Sequence, residues 1–221
     1  MARDFESSNE DHIEVGDIAA LNITGDEVTL SVWIRAESFT SEMKILAKWS
    51  DAGGAFSYLL SADGVGNNKV LFAVHTGSQT LTIGTTSMGT GTWFHLAGTY
   101  DGATIRAYLD GIEENSAAKT GNITSNTAPV RIGVGSGATD EQPFDGDIGH
   151  CAIWDAPLTA GEIKSLATGI NPLKIRAENL LFYAPVNGQD PEYDVVGGLD
   201  LTVVGATKTE EPPIPNSIVA A

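Results

Sequence analysis

Apolar residues recur at every second position over much of this chain. In Val28-Thr29-Leu30-Ser31-Val32-Trp33-Ile34-Arg35, Val28, Leu30, Val32 and Ile34 fall on one side, the period of a strand that turns one face to a core. Lys69 to His75 repeats the pattern through Val70, Phe72 and Val74. From Trp93 to Gly111 it predicts a hairpin: Phe94, Leu96 and Tyr100 point inward, Asp101-Gly102 turns the chain, and Ile105, Ala107 and Leu109 return. Val130, Ile132 and Val134 mark another strand, and Ile148 to Trp154, Asn179 to Val186 and Leu199 to Val203 three more.

Only one stretch carries helical signals. Thr159-Ala160-Gly161-Glu162 has the spacing of a capping box, Ile163 and Leu166 form the apolar stripe, and Gly169 stops the helix. Many strands with closely spaced turns and a single short helix near 159–168 predict an all-β, two-sheet antiparallel sandwich of jelly-roll type. A chain of 221 residues can bury a core of that size. The reading places one domain over 1–206. Residues 207–221 carry Pro212, Pro213 and Pro215, which cannot enter a central ladder, and are expected to form an extended arm.

Charge narrows the partners. A net charge of −17 with 12 Lys and Arg leaves no basic face for phosphates, so nucleic acid and anionic membrane surfaces are disfavoured. No apolar run approaches the ~18 residues of a membrane span. Met1 to Phe5 lacks the apolar segment of a secretory signal, and localisation stays open. The single Cys151 excludes an intramolecular disulfide, and its apolar surroundings predict a small buried hydrophobe.

Several segments then resemble a known family. Phe5 to Val15 looks like the opening strand of laminin-G-like jelly rolls, and Val28 to Arg35 like their second strand. Thr92-Trp93-Phe94-His95-Leu96-Ala97-Gly98-Thr99-Tyr100-Asp101-Gly102 resembles their central hairpin. Phe144-Asp145-Gly146-Asp147-Ile148-Gly149-His150-Cys151-Ala152-Ile153-Trp154, followed by Leu158 to Ile163, is similar to a segment typical of pentraxins. The resemblance to this laminin-G-like, pentraxin-like, concanavalin-type family runs in consistent order from residue 3 to 186. It implies the sandwich fold. The family includes lectins, adhesion modules and virion proteins, so it does not choose a function.

The resemblance also implies a calcium site. Asn67-Asn68 stands where pentraxins place an Asp-Asn pair, and Asp140-Glu141-Gln142 stands for their second ligand loop, with Asp63 as a further contributor. Asn67 in place of Asp removes a charge and Lys69 opposes one, although calcium prefers six to eight oxygens, several of them charged. Solvated polar turns are the competing reading of these residues.

Catalytic signals are absent. No strand carries the alternate carboxylates of a sandwich glycosidase, and neither Gly-x-Ser-x-Gly nor His-Glu-x-x-His occurs. The histidines are scattered along the chain, and His95 and His150 fit strand faces. Trp33, Trp93 and Trp154 read as packing residues. Trp49 lies in the turn-rich stretch Lys48 to Gly54 and is the aromatic expected at a ligand-binding surface.

Two classes of function remain. The first is a non-catalytic assembly module, a structural or decoration component of a larger particle such as a virion surface, working as a homo-oligomer. Its docking residues would be Pro212, Pro213, Ile214, Pro215, Ile218 and Val219 of the arm, pre-stiffened by proline and apolar at the tip. The alternative is a soluble glycan-binding lectin or adhesion module, requiring no cofactor unless calcium assists.

Overall fold

The computed structural model describes residues 1–39, 41–51, 53–63, 67–137 and 141–212. Two antiparallel sheets face each other across one apolar interior. The first is built on β3 (Glu27–Ala36), β8 (Phe94–Asp101) and β12 (Gly146–Trp154). β9 (Thr104–Leu109) and β10 (Ile112–Ala118) extend it on one side, and β1 (Ala2–Phe5), β13 (Leu180–Ala184) and β16 (Thr207–Thr209) on the other. The second sheet runs in the order β14 (Glu192–Asp194), β15 (Leu199–Val204), β2 (His12–Gly16), β11 (Val130–Ile132), β4 (Met43–Ser50), β5 (Ala55–Asp63), β6 (Lys69–His75) and β7 (Gln79–Ile83).

The period-two positions meet in that interior. Val28, Leu30, Val32 and Ile34 of β3 pack with Val70, Phe72 and Val74 of β6 and with Leu96, Tyr100, Ile105, Ala107 and Leu109 of the hairpin. One inward position, Gly98, has no side chain. A β-carbon there would lie 2.1 Å from two ring atoms of Phe72, so the opposite sheet's phenyl ring fills the space that the glycine leaves.

Four expectations need revision. Phe5 to Val15 is not one strand: β1 and β2 lie in different sheets, joined through a 3-10 turn at Ser7–Asn9. Lys48 to Ser50, expected in a turn-rich stretch, belong to the strand Met43–Ser50, which is buried along its whole length. Strand β11 stops at Ile132, leaving Val134 buried in the following loop. Thr207–Thr209 is no free arm, because it pairs with Ala2 to Asp4 as the edge of the first sheet. An edge position is compatible with the prolines that follow.

The chain's two ends are tied by Arg3, which is 4% exposed. Its guanidinium donates to Glu192 Oε1 at 2.6 Å, to the Ala206 carbonyl at 2.6 Å and to the Gln189 carbonyl. Glu192 also accepts from the backbone N–H groups of Asn187 and Gly188. This buried pair is therefore satisfied on both partners.

Gly98→Ala should cost about 1–3 kcal/mol, the range for overpacking a filled core, as measured by urea denaturation. Adding Phe72→Leu should return part of that loss. Equal stability of Gly98→Ala and the parent would show that the two sheets do not meet at this point.

Candidate functional site

The first sheet's central strands are apolar on both faces. Behind the interior, Ala97, Tyr108, Ala152, Trp154 and Tyr183 form a second cluster with Leu158, Ile163, Leu166 and Leu180. Its cover is α1 (Ala160–Ala167), whose start is fixed by the predicted capping box. Thr159 Oγ1 accepts from the Glu162 N–H, and Glu162 Oε2 accepts from the Thr159 N–H at 2.7 Å. The approach to α1 is pinned to β3, where Thr29 Oγ1 donates to the Ala156 carbonyl and accepts from the Leu158 N–H. The segment beyond α1 is held by Trp154 Nε1, which donates to the Ile175 carbonyl at 2.9 Å.

Where α1 ends, a recess opens between the sheet and the chain that follows. Ser31, Trp33, His95 and His150 form its floor, and Leu166, Gly169, Ile170, Asn171 and Pro172 its roof. It is narrow, with room for a single small group. Gly169, at φ +91°, makes the turn that carries Ile170 over the mouth, and Ile170 is 43% exposed.

A bulge places His150 there. Ile148, Cys151 and Ile153 of β12 face the interior, while Ala152 and Trp154 face the helix. A regular strand cannot put both Ile148 and Cys151 inward, and the pairing with β3 shifts register between Gly149 and Ala152. His150 takes up the extra residue at φ +54°. It leaves the ladder with β3, and its N–H bonds the Pro185 carbonyl instead. Its Nδ1 lies 2.7 Å from the Tyr183 hydroxyl. The step of three between Ile148 and Cys151, followed by a step of two, was the sequence signal for this bulge.

His95 and His150, far apart in sequence, thus line the same recess. His95 Nε2 lies 2.9 Å from Ser31 Oγ, and the His95 ring stands 5.4 Å from the Trp33 ring. A serine–histidine contact invites comparison with a nucleophile and its base. Two features separate it from that arrangement. Among the described residues Nδ1 of His95 has no hydrogen-bond partner, where a catalytic triad has an orienting carboxylate. Burial pushes the imidazole down to about 3, too weak a base for proton transfer near neutrality. His150 is likewise pushed down, to about 4, first by burial.

The other expected site residues fall elsewhere. Trp49 is 1% exposed, in β4 rather than in a loop. Its ring packs 4.8 Å from Phe56 in a cluster with Ala47, Leu59, Leu71 and Ala73. That burial corrects its assignment to an exposed surface.

Of the residues expected to hold calcium, Asp140 lies outside the described residues. Glu141 is 6% exposed and its carboxylate is already engaged: Ser50 Oγ donates to Oε1, while the Asp51 N–H and the Lys44 ammonium reach Oε2. Asp63 Oδ2 accepts from Asn67. The Asn68 carbonyl accepts from the Met88 N–H, and the Gln142 carbonyl from the Lys44 N–H. Among the described residues no three of His, Cys, Asp and Glu are grouped to hold a metal ion. Among the described residues, the donor set therefore does not fit the calcium that the resemblance implied.

Of the arm, Pro212 is buried on its own domain. A β-carbon on Gly149 would lie 3.2 Å from Pro212 and 3.6 Å from Ala2, and Glu211 pairs with the Met1 amino group at 3.1 Å. Pro213, Ile214, Pro215, Ile218 and Val219 lie outside the described residues. Cys151 is buried as expected, and burial holds its thiol well above the ordinary range. Among the described residues no helix is long and apolar enough to cross a membrane.

Residues 7–164 match the laminin-G family model described as the concanavalin A-like lectin/glucanases superfamily. Pappalysin-1 of Mus musculus is 29% identical over 161 residues, which are 66% of this chain and 10% of that protein. The chain thus spans a tenth of that relative's length. A candidate carbohydrate-binding protein from Bacteroides ovatus superposes with a TM-score of 0.76 at 19% identity, covering 97% of this chain and 61% of that one. A heptameric SAP-like pentraxin from Limulus polyphemus gives 0.61 at 13% identity, over 77% of this chain and 83% of its own. At these identities the structural likeness shows the fold.

The two histidines set an acid dependence. Each has a folded pKa below the 6.5 of an ordinary imidazole, so between the two values the unfolded chain holds a proton that the folded chain does not. Stability therefore rises with pH across that window and is lost as pH falls through it. His95→Gln should flatten the fall in melting temperature between about pH 6.5 and pH 4, read by calorimetry. An unchanged slope would remove His95 as a source of the dependence.

Proposed function

The chain belongs to the concanavalin A-like lectin/glucanases superfamily, and from that premise we propose that it is a non-catalytic glycan-binding module. The observation that carries the reading is the recess beside α1. It sets an indole, two imidazoles and a side-chain amide around one small apolar opening. A sugar ring alternates apolar C–H faces with hydroxyls, and such a mixed wall meets both. The narrow opening takes one substituent, a methyl or hydroxymethyl, while the ring rests on the exposed Ile170 at the rim. The likeness to the Bacteroides protein supports the same reading.

The non-catalytic part rests on the acid–base inventory of the recess. Its two histidines are held neutral by burial, and among the described residues no carboxylate lines it. Neither the carboxylate pair of glycoside hydrolysis nor an activated nucleophile can be assembled from these groups.

A second reading, work within a larger assembly such as a homo-oligomer or a particle surface, is favoured by the hairpin of β14 and β15. It exposes Tyr193, Val195, Val196, Leu199 and Val204 at 37–42% each, a cluster of apolar side chains at the end of the second sheet.

Ile170→Arg should leave the melting temperature within about a degree of the parent, since an exposed side chain contributes about 0.5 kcal/mol or less. It should reduce binding to a glycan array at least tenfold by closing the recess. Retained binding by Ile170→Arg would move the site elsewhere on the sandwich. If the parent retains no glycan but sediments as an oligomer, the assembly reading takes its place.

A further inference from the structure

Strand β4 buries two lysines completely, Lys44 and Lys48. Lys48 reaches the edge of the sandwich, where Nζ donates to the Ala128 carbonyl at 2.6 Å and to Asp17 at 3.1 Å. Lys44 stays within a group of acids. Its Nζ lies 2.7 Å from Asp51 Oδ2 and 3.5 Å from Glu141 Oε2. The charges of Lys44, Asp51 and Asp63 are all felt at Glu42, which is half-buried. Burial outweighs the help of Lys44 there and pushes the Glu42 carboxyl up. One ammonium thus reaches two carboxylates, and Glu42 feels its charge.

The position of that ammonium is built in. A β-carbon on Gly135 would lie 2.5 Å from Glu141 Cβ and 2.9 Å from Lys44 Cδ, so the glycine lets the lysine stem and the glutamate pack against the backbone. Asp51 is oriented by Trp49 Nε1, which donates to its Oδ1 at 3.0 Å. Glu141 is oriented by Ser50 and by the Asp51 N–H. Carboxylates of two separate chain segments thus converge on one ammonium. Without that cation the buried Glu141 carboxylate would carry its charge beside that of Asp51, whose own side chain is half-exposed.

We infer that the Lys44 ammonium is a tethered replacement for a divalent cation, joining the Ser50–Asp51 segment to Glu141 and making this region of the fold independent of calcium. A divalent ion would need six or more oxygens. An ammonium needs three acceptors at most, and being part of the chain it is never diluted away. The inference concerns the second sheet and does not depend on the glycan reading.

The test compares melting temperatures of the full chain in millimolar calcium and in EDTA. The parent should melt at the same temperature in both. Lys44→Ala should melt several degrees lower in EDTA and regain at least half of the loss in calcium, because a free ion can then enter among the carboxylates. Lys44→Ala with Glu141→Gln, which also removes one of the converging charges, should recover in EDTA and respond less to calcium. A calcium-dependent shift in the parent, or a folded Lys44→Ala that ignores calcium, overturns the inference. If Lys44→Ala does not fold in either buffer, the double variant decides: restored folding supports the tethered cation, and continued failure to fold overturns it.

Discussion

The architecture turns on a constraint in the centre of the first sheet. Its strands present apolar side chains on both faces, and the second sheet covers only one of them. The other face must find a cover, and a single two-turn helix supplies it through Ile163 and Leu166. A helix that short has little stability of its own. Its capping box and the anchors at Thr29 and Trp154 therefore matter as much as its apolar stripe. The recess follows from the same geometry: eight helical residues cannot span the sheet, and an opening is left where the cover ends, over Trp33, His95 and His150.

The second sheet meets a different demand with buried charge. Lys44 and Lys48 lie on a strand that is otherwise core, and each spends its ammonium on fixed acceptors. Pairs of this kind add little net stability against an apolar replacement, yet breaking one leaves an unpaired charge indoors. Their contribution is in placing loops. Glu141 and Asp51 are positioned by Lys44, and the Asp17 segment by Lys48.

Strands whose inward apolar residues recur at every second position were legible in the sequence. Lys69–His75 was found to the residue, and the hairpin, β12 and the capped helix to within a few residues. Strand β4 was hidden because its pairing shifts register twice, which breaks the alternation, and because Lys44 and Lys48 imitate a solvated stretch. Trp49 was misplaced for the same reason. The calcium residues were chosen by resemblance, and nothing in local spacing showed that Lys44, nearly a hundred residues from Glu141, would reach that carboxylate. The recess was out of sight because it joins residues from three strands and a turn. Only the irregular step between Ile148 and Cys151 hinted at it.

Arg3 bears on how the molecule comes to be made. Its three partners lie more than 180 residues away, and β1 sits between β12 and β16. A ribosome delivers the first of these segments long before the last. Strand β1 must wait while the 189 residues up to Glu192 are made, and its guanidinium stays hydrated until Glu192 and Ala206 have emerged. Closure of the first sheet's edge is thus a late event in biogenesis. A nascent chain halted before residue 192 would present an open sheet edge of the kind that chaperones shield and that aggregation exploits.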